Sequence, residues 1–405
     1  MLGNQLQCMH NKYSYNYYKE IFKNTTKPFA FVDLDLLDEN IRDLKNRAGS
    51  KKIRIASKSI RCRTIIDRIF ETDKQFEGVM CYSAEEALWL SDLGYDNLLI
   101  GYPTSDIQQI EALGNEIKNG KIIYLMIDDE EHLKRINAIG LKLSVKMPVC
   151  IDVDMSSDFP GLHFGVWRSN LRTSLAVENI VKQSFNYEYI SIIGLMGYEA
   201  QIAGLVDAQK EQKLKSFFVR QLKKSSIHEL CKRRKESIEK IKNLGIELKL
   251  VNGGGTGSLE STREENAVTE VTIGSGFFNS HLFDNYTLFK HKPAACFAVE
   301  VVRIPKKGLA TCLGGGYIAS GGTGNEKQPL PYLPEGLKLT QNEGAGEVQT
   351  PLIDLKEELS IGDPVFFRHS KAGELCERFN ELYLISNGEI VSVEKTYRGE
   401  GMCFL

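Results

Sequence analysis

Eight short apolar runs, each followed by a segment with helical periodicity, constrain the fold of this chain more than any other feature. The runs lie at 53–57, 78–81, 97–101, 121–127, 148–154, 190–197, 247–252 and 269–273. Runs of this length and spacing predict parallel strands that are joined by crossover helices. Eight such units predict an α/β protein with a closed (β/α)8, TIM-like barrel, and an open doubly wound sheet is the alternative.

Residues at the ends of the helical segments support this alternation. Asp35 precedes the helical repeat before the first run and is a suitable N-cap. Ser83 followed by Glu86 forms a capping box, and the helix that it opens is predicted to end near Gly94. The order of elements from the first run onward is therefore strand, then helix.

A second domain is predicted after the barrel, because 405 residues exceed what one hydrophobic core usually serves. After Asn285 the pattern changes to β-rich runs that are broken by Gly and Pro, at 295–304, 364–367, 381–385 and 390–393. We therefore divide the chain into an N-terminal extension (1–27), a barrel (28–285) and a C-terminal all-β domain (286–405). The glycine clusters at 314–316 and 321–322 are interpreted as turns of the β domain, and the alternative is that they border the binding pocket.

The composition excludes several classes of protein. Apolar residues make up 42% of the chain and charged residues 26%, which is typical of a soluble globular protein. The net charge of -2 provides no field of one sign that would recruit nucleic acid or an anionic membrane. The Lys- and Arg-rich stretch at 207–243 is therefore interpreted as a solvated helical face. A small molecule is the expected partner.

Cysteine usage and hydropathy predict a cytoplasmic protein. The nine cysteines include no C-x-x-C pair, which favours reduced thiols over a disulfide framework or structural zinc. Residues 1–23 lack the charged start and apolar stretch of a secretory signal. No apolar run reaches the roughly 18 residues that a membrane span requires.

Lys58 is the first candidate for chemistry. It lies just past the first apolar run, at the C-terminal end of a predicted barrel strand, where barrels place their active sites. An amine at such a mouth loses part of its hydration and is suited to forming a Schiff base with an aldehyde. The alternative is an ordinary solvated lysine in a loop.

Two glycine-rich loops predict a phosphate site near Lys58. They follow the seventh and eighth runs, which are the positions where many barrels bind phosphate. Glycines allow several backbone N–H groups to approach one anion, and hydroxyl groups stand beside them. The residues concerned are Gly254, Gly255, Thr256 and Gly257 in the first loop and Ser275 and Gly276 in the second.

A family resemblance follows from these motifs. The segments that carry it lie at 28–35, around Lys58, and at 83–87, 252–258, 269–276, 366–369 and 397–401. With these residues in this order, the chain resembles the fold-type III enzymes that depend on pyridoxal 5'-phosphate (PLP). The group includes alanine racemase, D-threonine aldolase and eukaryotic-type D-serine dehydratase, and the last two are the most similar.

The resemblance implies roles for several residues. Lys58 would hold PLP through a Schiff base, and the two glycine loops would hold its phosphate. His163 stands where the family often has Arg, so a neutral imidazole would replace a permanent positive charge near the phenolic oxygen of the cofactor. Tyr198 falls where the aldolases carry a Tyr and would contact cofactor or substrate.

The aldolase and dehydratase branch binds a divalent metal through His-x-Asp or His-x-Cys, and this chain departs from that pattern. The corresponding residues are His369-Ser370-Lys371, and an ammonium group is not a metal ligand. We therefore expect a metal-free site in which His369 and Lys371 are catalytic. The alternative is a metal bound by His369 and Cys376, if the loop folds back.

The resulting hypothesis is a PLP-dependent lyase that acts on a small amino acid, either a D-amino acid or a 3-hydroxy amino acid. Aldol cleavage or dehydration would proceed at Lys58, which would also move the α-proton. An amino-acid racemase and a non-catalytic PLP carrier are the alternatives. The resemblance further implies a head-to-tail homodimer in which His369 faces the partner subunit's Lys58.

Overall fold

The computed structural model describes residues 12–209, 212–322, 324–371 and 373–404. Its strands, numbered β1 to β19 in chain order, lie at Phe29–Asp33, Lys52–Ala56, Phe76–Cys81, Leu98–Ile100, Ile123–Ile127, Met147–Asp152, Ser157–Phe159, Leu162–Phe164, Ile190–Gly197, Leu250–Gly253, Glu270–Ile273, Ala295–Lys306, Leu309–Leu313, Leu330–Leu333, Lys338–Leu339, Gln349–Ile353, Pro364–Arg368, Glu381–Ser386 and Glu389–Lys395. Its α-helices lie at Tyr15–Ile21, Leu34–Ala48, Arg63–Thr72, Ala84–Asp92, Ile107–Lys118, Glu130–Leu143, Ser174–Ser184, Ala200–Ala203, Lys213–Asn243, Leu259–Arg263 and Ser275–Phe278. Among these described helices, none combines the length and the apolar character that crossing a membrane requires.

Eight parallel strands close into a barrel, which confirms the predicted fold. The order around the barrel is β2, β3, β4, β5, β6, β9, β10 and β11. The ring closes where β11 pairs with β2, with Ile273 opposite Ile55. Each predicted apolar run coincides with one of these strands to within a few residues. The runs are largely apolar because strands of a barrel are covered on both faces.

The strands β1 and β12 to β19 form a nine-stranded sheet, which includes the strands of the predicted β domain. The strand β1 also belongs to this sheet, where it pairs antiparallel to β12 and parallel to β18. The predicted start of the barrel at residue 28 therefore needs correction, because the first barrel strand is β2. An apolar five-residue strand fits either sheet, and only tertiary contacts choose its neighbours.

The part of the predicted extension that the structure describes packs on the β domain. Within the described part of the predicted extension, the helix Tyr15–Ile21 places Tyr18 so that its hydroxyl donates to Asp33 Oδ2 at 2.9 Å. Asp33 Oδ1 accepts hydrogen bonds from the N–H groups of Asp35 and Leu36 at 3.1 and 3.2 Å. The N-cap of the following helix is therefore Asp33, two residues before the predicted Asp35.

The capping box at Ser83 is confirmed in its first half. The N–H group of Glu86 donates to Ser83 Oγ at 3.1 Å, and the helix that begins there ends at Asp92. The Glu86 carboxylate instead accepts from the N–H group of Tyr82 at 2.7 Å. The side chains together fasten the start of this helix to the end of β3.

The Lys- and Arg-rich stretch forms the 31-residue helix Lys213–Asn243, and its predicted solvated face needs one correction. Arg234 is 1% exposed, and its guanidinium pairs with Glu199 at 3.1 Å and with Glu265. Its Nη2 also donates to the carbonyl of Gly197 at 2.8 Å. Two carboxylates and a carbonyl compensate the buried charge of Arg234. Burial of an unpaired guanidinium would be strongly destabilising.

Candidate active site

A cavity of 910 Å³ opens at the C-terminal end of the barrel. Its floor and walls come from residues that follow the barrel strands, as barrels commonly arrange their sites. Loops of the β domain of the same chain complete the rim, and they contribute Ser320, Gly321, Lys327, Lys371 and Glu374. The β domain of the same chain therefore reaches the Lys58 cavity, and the prediction about the partner subunit's β domain stays a prediction. The glycine cluster at 321–322, interpreted as turns, borders this cavity through Gly321.

Lys58 points into this cavity. It lies in the short 3-10 turn Ser57–Ser59 directly after β2, and its Nζ donates to the Tyr102 hydroxyl at 3.0 Å. Burial raises the pKa of Tyr102, but the ammonium group of Lys58 and the guanidinium of Arg168 outweigh burial and lower the pKa of the phenol. Tyr102 was not among the predicted site residues, although it lies just after the barrel strand β4, and that position was a usable signal.

The backbone of Lys58 is held by the β domain. The carbonyl of Lys58 accepts from Arg61 Nε at 3.0 Å, and the Arg61 guanidinium forms an ion pair with Glu377. Gly373 packs against the same carbonyl, and a Cβ added there would lie 1.9 Å from the oxygen. Arg61 adopts a positive φ of 49°, which is costly for a residue with a side chain. These contacts fix the position from which the lysine side chain departs.

The two glycine loops lie side by side and next to Lys58. The N–H group of Gly276 donates to Thr256 Oγ1 at 3.0 Å, and Ser275 Oγ lies 3.5 Å from Ser59 Oγ. A Cβ added at Gly255 would lie 2.8 Å from the Cβ of Ala203, so this loop approaches its neighbour as only glycine can. The predicted phosphate loops are thus adjacent, tight and hydroxylated.

The loops do not present all of their residues to the cavity. Gly254, Gly255, Thr256 and Ser275 line it, whereas Gly257 packs behind against Tyr286 and Ala203, and Gly276 packs against Leu44. The N–H group of Gly254 donates inward to Glu199 Oε2 at 3.1 Å, so it braces the loop. The buried pair of Glu199 with Arg234 therefore supports this loop, which the sequence analysis did not foresee.

His163 lies at the cavity but is committed to local contacts. It sits on the β7–β8 hairpin, where its Nδ1 is 2.8 Å from Asp158 Oδ1 and its ring stacks on Trp167 at 3.7 Å. The nearby Arg168 also lines the cavity, with its guanidinium 5.8 Å from the centre of the Tyr102 ring. Arg168 therefore supplies a permanent positive charge five residues after the position where the family pattern led us to look for it.

Tyr198 and Asp152 complete the barrel side of the cavity. Burial raises the pKa of Tyr198 to about 12, and Arg168 opposes this shift. Burial also raises the pKa of Asp152 to about 7, and the charge of Asp128 adds to the effect. The Asp152 carboxyl is thus poised to change its charge near neutral pH, and it was not among the predicted site residues.

The structure separates the predicted catalytic residues of the β domain. His369 is fully buried outside the cavity lining, where its ring packs edge-on against Phe278 at 6.5 Å. Burial lowers the pKa of His369 to about 3. Lys371 instead reaches the cavity rim, where its Nζ donates to Ser320 Oγ at 2.7 Å. Direct catalysis by His369 is therefore not supported, because its ring does not face the cavity.

The two alternative metal ligands have different contacts. Cys376 is buried under the Lys58 turn, and its thiol donates to the carbonyl of Ile60 at 3.1 Å. His369 lies at Phe278 instead. Across the described part of the chain, no three His, Cys, Asp or Glu side chains form a group that could hold a metal ion.

Comparison with solved structures identifies the architecture. The chain is similar to D-threonine aldolase from Filomicrobium marinum, at 18% identity and a TM-score of 0.77, over 93% of this chain and 97% of that one. It is also similar to D-threo-3-hydroxyaspartate dehydratase from Delftia sp. HT23, at 16% identity and a TM-score of 0.73, over 92% and 98% of the two chains. Alanine racemase from Clostridium difficile 630 matches at 18% identity and a TM-score of 0.63, over 92% and 99%.

The sequence itself decides the family. No curated protein sequence matches the chain significantly. The family model for the alanine racemase N-terminal domain matches residues 32–280, which include Lys58 and both glycine loops. Because this match covers more than half of the 405 residues, the chain belongs to the alanine racemase N-terminal domain family, whose members include PLP-dependent lyases and racemases.

Proposed function

We propose that this protein is a PLP-dependent lyase that acts on a small D- or 3-hydroxy amino acid by aldol cleavage or dehydration. The observation that carries the proposal is the position of Lys58, whose Nζ points into a 910 Å³ cavity beside two adjacent glycine loops. An aldehyde cofactor with a phosphate group matches this arrangement of an amine and an anion site. The residues present therefore fit PLP.

Different residues of the chain would bind the cofactor and move the α-proton. When bound at Lys58, PLP supplies an electron sink for charge that develops at the substrate Cα. The loop residues Gly255, Thr256 and Ser275 would hold the phosphate of this cofactor. Tyr102 holds the Lys58 amine at 3.0 Å, in a position from which this amine could take or return the α-proton of the substrate.

Lys371 is the group that we assign to the substrate side chain. It enters from the β domain and faces the same space as Lys58. Its ammonium can donate a hydrogen bond to a substrate hydroxyl or carboxylate, in the electrostatic role that a divalent metal would otherwise have. We therefore propose a site that works without a metal.

A racemase is the second candidate, and one observation weakens it. Racemisation needs a second base on the face opposite Lys58, and Tyr198 is a phenol of the barrel wall that could serve. Burial raises its pKa to about 12, which disfavours proton abstraction at neutral pH. The PLP-carrier alternative is disfavoured because the β domain contributes Lys327, Lys371 and Glu374 to the cavity. A simple carrier would not need this rim.

The decisive experiment is to trap the cofactor. We expect the protein with added PLP to be yellow, and borohydride to attach the cofactor covalently to Lys58, as located by mass spectrometry of peptides. Lys58→Ala should lose turnover, while its phosphate loops still bind PLP weakly. An adduct on another lysine, or none at all, would show that the proposal is wrong.

Assembly and location stay predictions. We propose a cytoplasmic homodimer, in line with the family resemblance, and sedimentation of the active protein tests the assembly. An active monomer would contradict it. The position of Lys371 at the cavity of its own chain does not depend on the oligomeric state.

A further inference from the structure

Two ammonium groups of the β domain stand together on the cavity rim. Lys371 Nζ donates to Ser320 Oγ at 2.7 Å, and Lys327 Nζ lies 3.8 Å from the position that a Cβ on Gly321 would take. Both lysines line the cavity that contains Lys58. A substrate bound at Lys58 would therefore share the cavity with two additional positive charges.

The loops that carry these lysines are fastened to each other. Ser370 Oγ donates to the carbonyl of Glu326 at 2.8 Å, and the N–H group of Ser320 donates to Glu374 Oε1 at 3.0 Å. The N–H group of Ala319 donates to the carbonyl of Lys327 at 2.9 Å. The two loops that carry the ammonium groups are thus held together in one rim.

The charges on this rim are not balanced within the chain. Among the residues that the structure describes, neither lysine forms an ion pair, and the nearby carboxylate of Glu374 is engaged by Ser320. Burial lowers the pKa of Lys371, Glu374 opposes that shift, and the ammonium groups of Lys327 and Lys58 lower it further. One carboxylate therefore faces two crowded ammonium groups, and a bound anion would relieve their repulsion.

The cofactor phosphate is not the anion that would compensate these lysines. In the proposed function the phosphate occupies the glycine loops, which lie beside Ser59 on the barrel. The rim lies instead on the β-domain side, where the substrate side chain would extend from Lys58. Compensating two ammonium groups there calls for a substrate that carries an acidic group in addition to its α-carboxylate.

We infer that Lys327 and Lys371, with Ser320, form a carboxylate subsite and that the substrate is an amino acid with an acidic side chain. The inference rests on the proposed function for the position of the substrate amine at Lys58. Two ammonium donors and one hydroxyl would bind the second carboxylate through charge-assisted hydrogen bonds. A neutral side chain, such as a methyl group, would leave both charges uncompensated.

The test compares two probes that differ by one carboxylate. Succinate and butyrate are titrated by calorimetry into the protein loaded with PLP, and into the protein without PLP. We expect succinate to bind about ten- to a hundredfold more tightly than butyrate, as charge-assisted hydrogen bonds predict. Lys327→Gln and Lys371→Gln should each remove most of this preference. Lys307→Gln is the matched control, since Lys307 is an exposed lysine of the same domain.

The amino acids themselves give the second readout. Aspartate and 3-hydroxyaspartate, in both configurations, should perturb the visible absorbance of the loaded protein at lower concentrations than alanine, serine or threonine. Equal binding of succinate and butyrate, or a preference that survives both substitutions, would overturn the subsite. A failure to load PLP at Lys58 would overturn the proposed function instead, and the titration without PLP would still report on the two lysines.

Discussion

Gly373 of the β domain packs against the backbone carbonyl of Lys58, so that a Cβ at position 373 would lie 1.9 Å from that oxygen. The same carbonyl accepts from Arg61 Nε at 3.0 Å, and Arg61 is tied to Glu377 four residues beyond Gly373. The lysine proposed for catalysis is therefore positioned by a second domain. Substitutions in the β domain should change the chemistry of the barrel.

The substitution Gly373→Ala tests this contact. Its Cβ would push the Lys58 carbonyl away, so we expect PLP to be trapped on Lys58 more slowly and turnover to fall. Gly401→Ala is the control, because Gly401 has a similar positive φ (80° against 88°) but no atom within 4 Å of an added Cβ. Both variants should lose roughly 1–2 kcal/mol of stability from backbone strain. Equal trapping rates in the two variants would mean that the contact does not position Lys58.

The pair of Lys58 with Tyr102 predicts an unusual phenol in the protein without cofactor. Burial raises the pKa of Tyr102, but the Lys58 ammonium and the Arg168 guanidinium together outweigh burial, so the net pKa lies below the ordinary value of about 10. An ultraviolet titration should detect one tyrosine that ionises early. Tyr102→Phe should remove this step, and Lys58→Ala should move it to higher pH. A titration that Lys58→Ala leaves unchanged would contradict the pairing.

Asp152 predicts a pH-dependent stability. Its folded pKa is raised to about 7, so in the folded state it keeps its proton in a pH range where the unfolded chain has lost it. Folding stability should therefore decline as pH rises from about 4 to about 7, by at most roughly 1.4 kcal/mol per pH unit from this group. Asp152→Asn should remove this contribution, so that its stability advantage over the natural protein grows with pH. Denaturant titrations without PLP measure it, and a constant difference would refute it.

We predict a metal-free site because Lys371, which carries an ammonium group, stands where the family resemblance places a metal ligand. We expect activity to survive EDTA and elemental analysis to find no stoichiometric zinc or manganese. Lys371→Ala should lower kcat/KM by about ten- to a hundredfold, the range for a lost charge-assisted hydrogen bond, with little change in PLP binding. A tightly bound divalent ion that is lost in His369→Ala would reverse this conclusion and restore His369 as a ligand.

The barrel could be predicted from the sequence because its evidence is local. Each strand is a short apolar run, each crossover helix has its own periodicity, and the count of eight needs no knowledge of distant contacts. The position of Lys58 just after a strand was informative for the same reason. Side chains that follow barrel strands converge on one mouth, whatever the rest of the chain does.

Other features depended on contacts between distant segments. Neither Tyr102 nor Arg168 belongs to a motif, yet the barrel brings both to the amine of Lys58 and to its surroundings. The strand β1 has the apolar pattern of a barrel strand but pairs with β12 and β18. Its sequence could not predict this pairing, because the apolar pattern fits either sheet. Arg234 has the sequence context of a solvated charge, but its side chain is buried behind the first glycine loop, where it pairs with Glu199.

The barrel, the candidate lysine and the adjacent glycine loops could be predicted from the sequence, since they follow from periodicity and from the fixed geometry of parallel strands. Which β-domain residue faces the amine depends on contacts between distant segments. The chain leaves β17 at Arg368, and beyond that point the alternation of a strand no longer sets the direction of a side chain. His369 turns into the core and Lys371 to the cavity because the loop packs against Lys58, Ser320 and Glu326, which lie far away in the sequence.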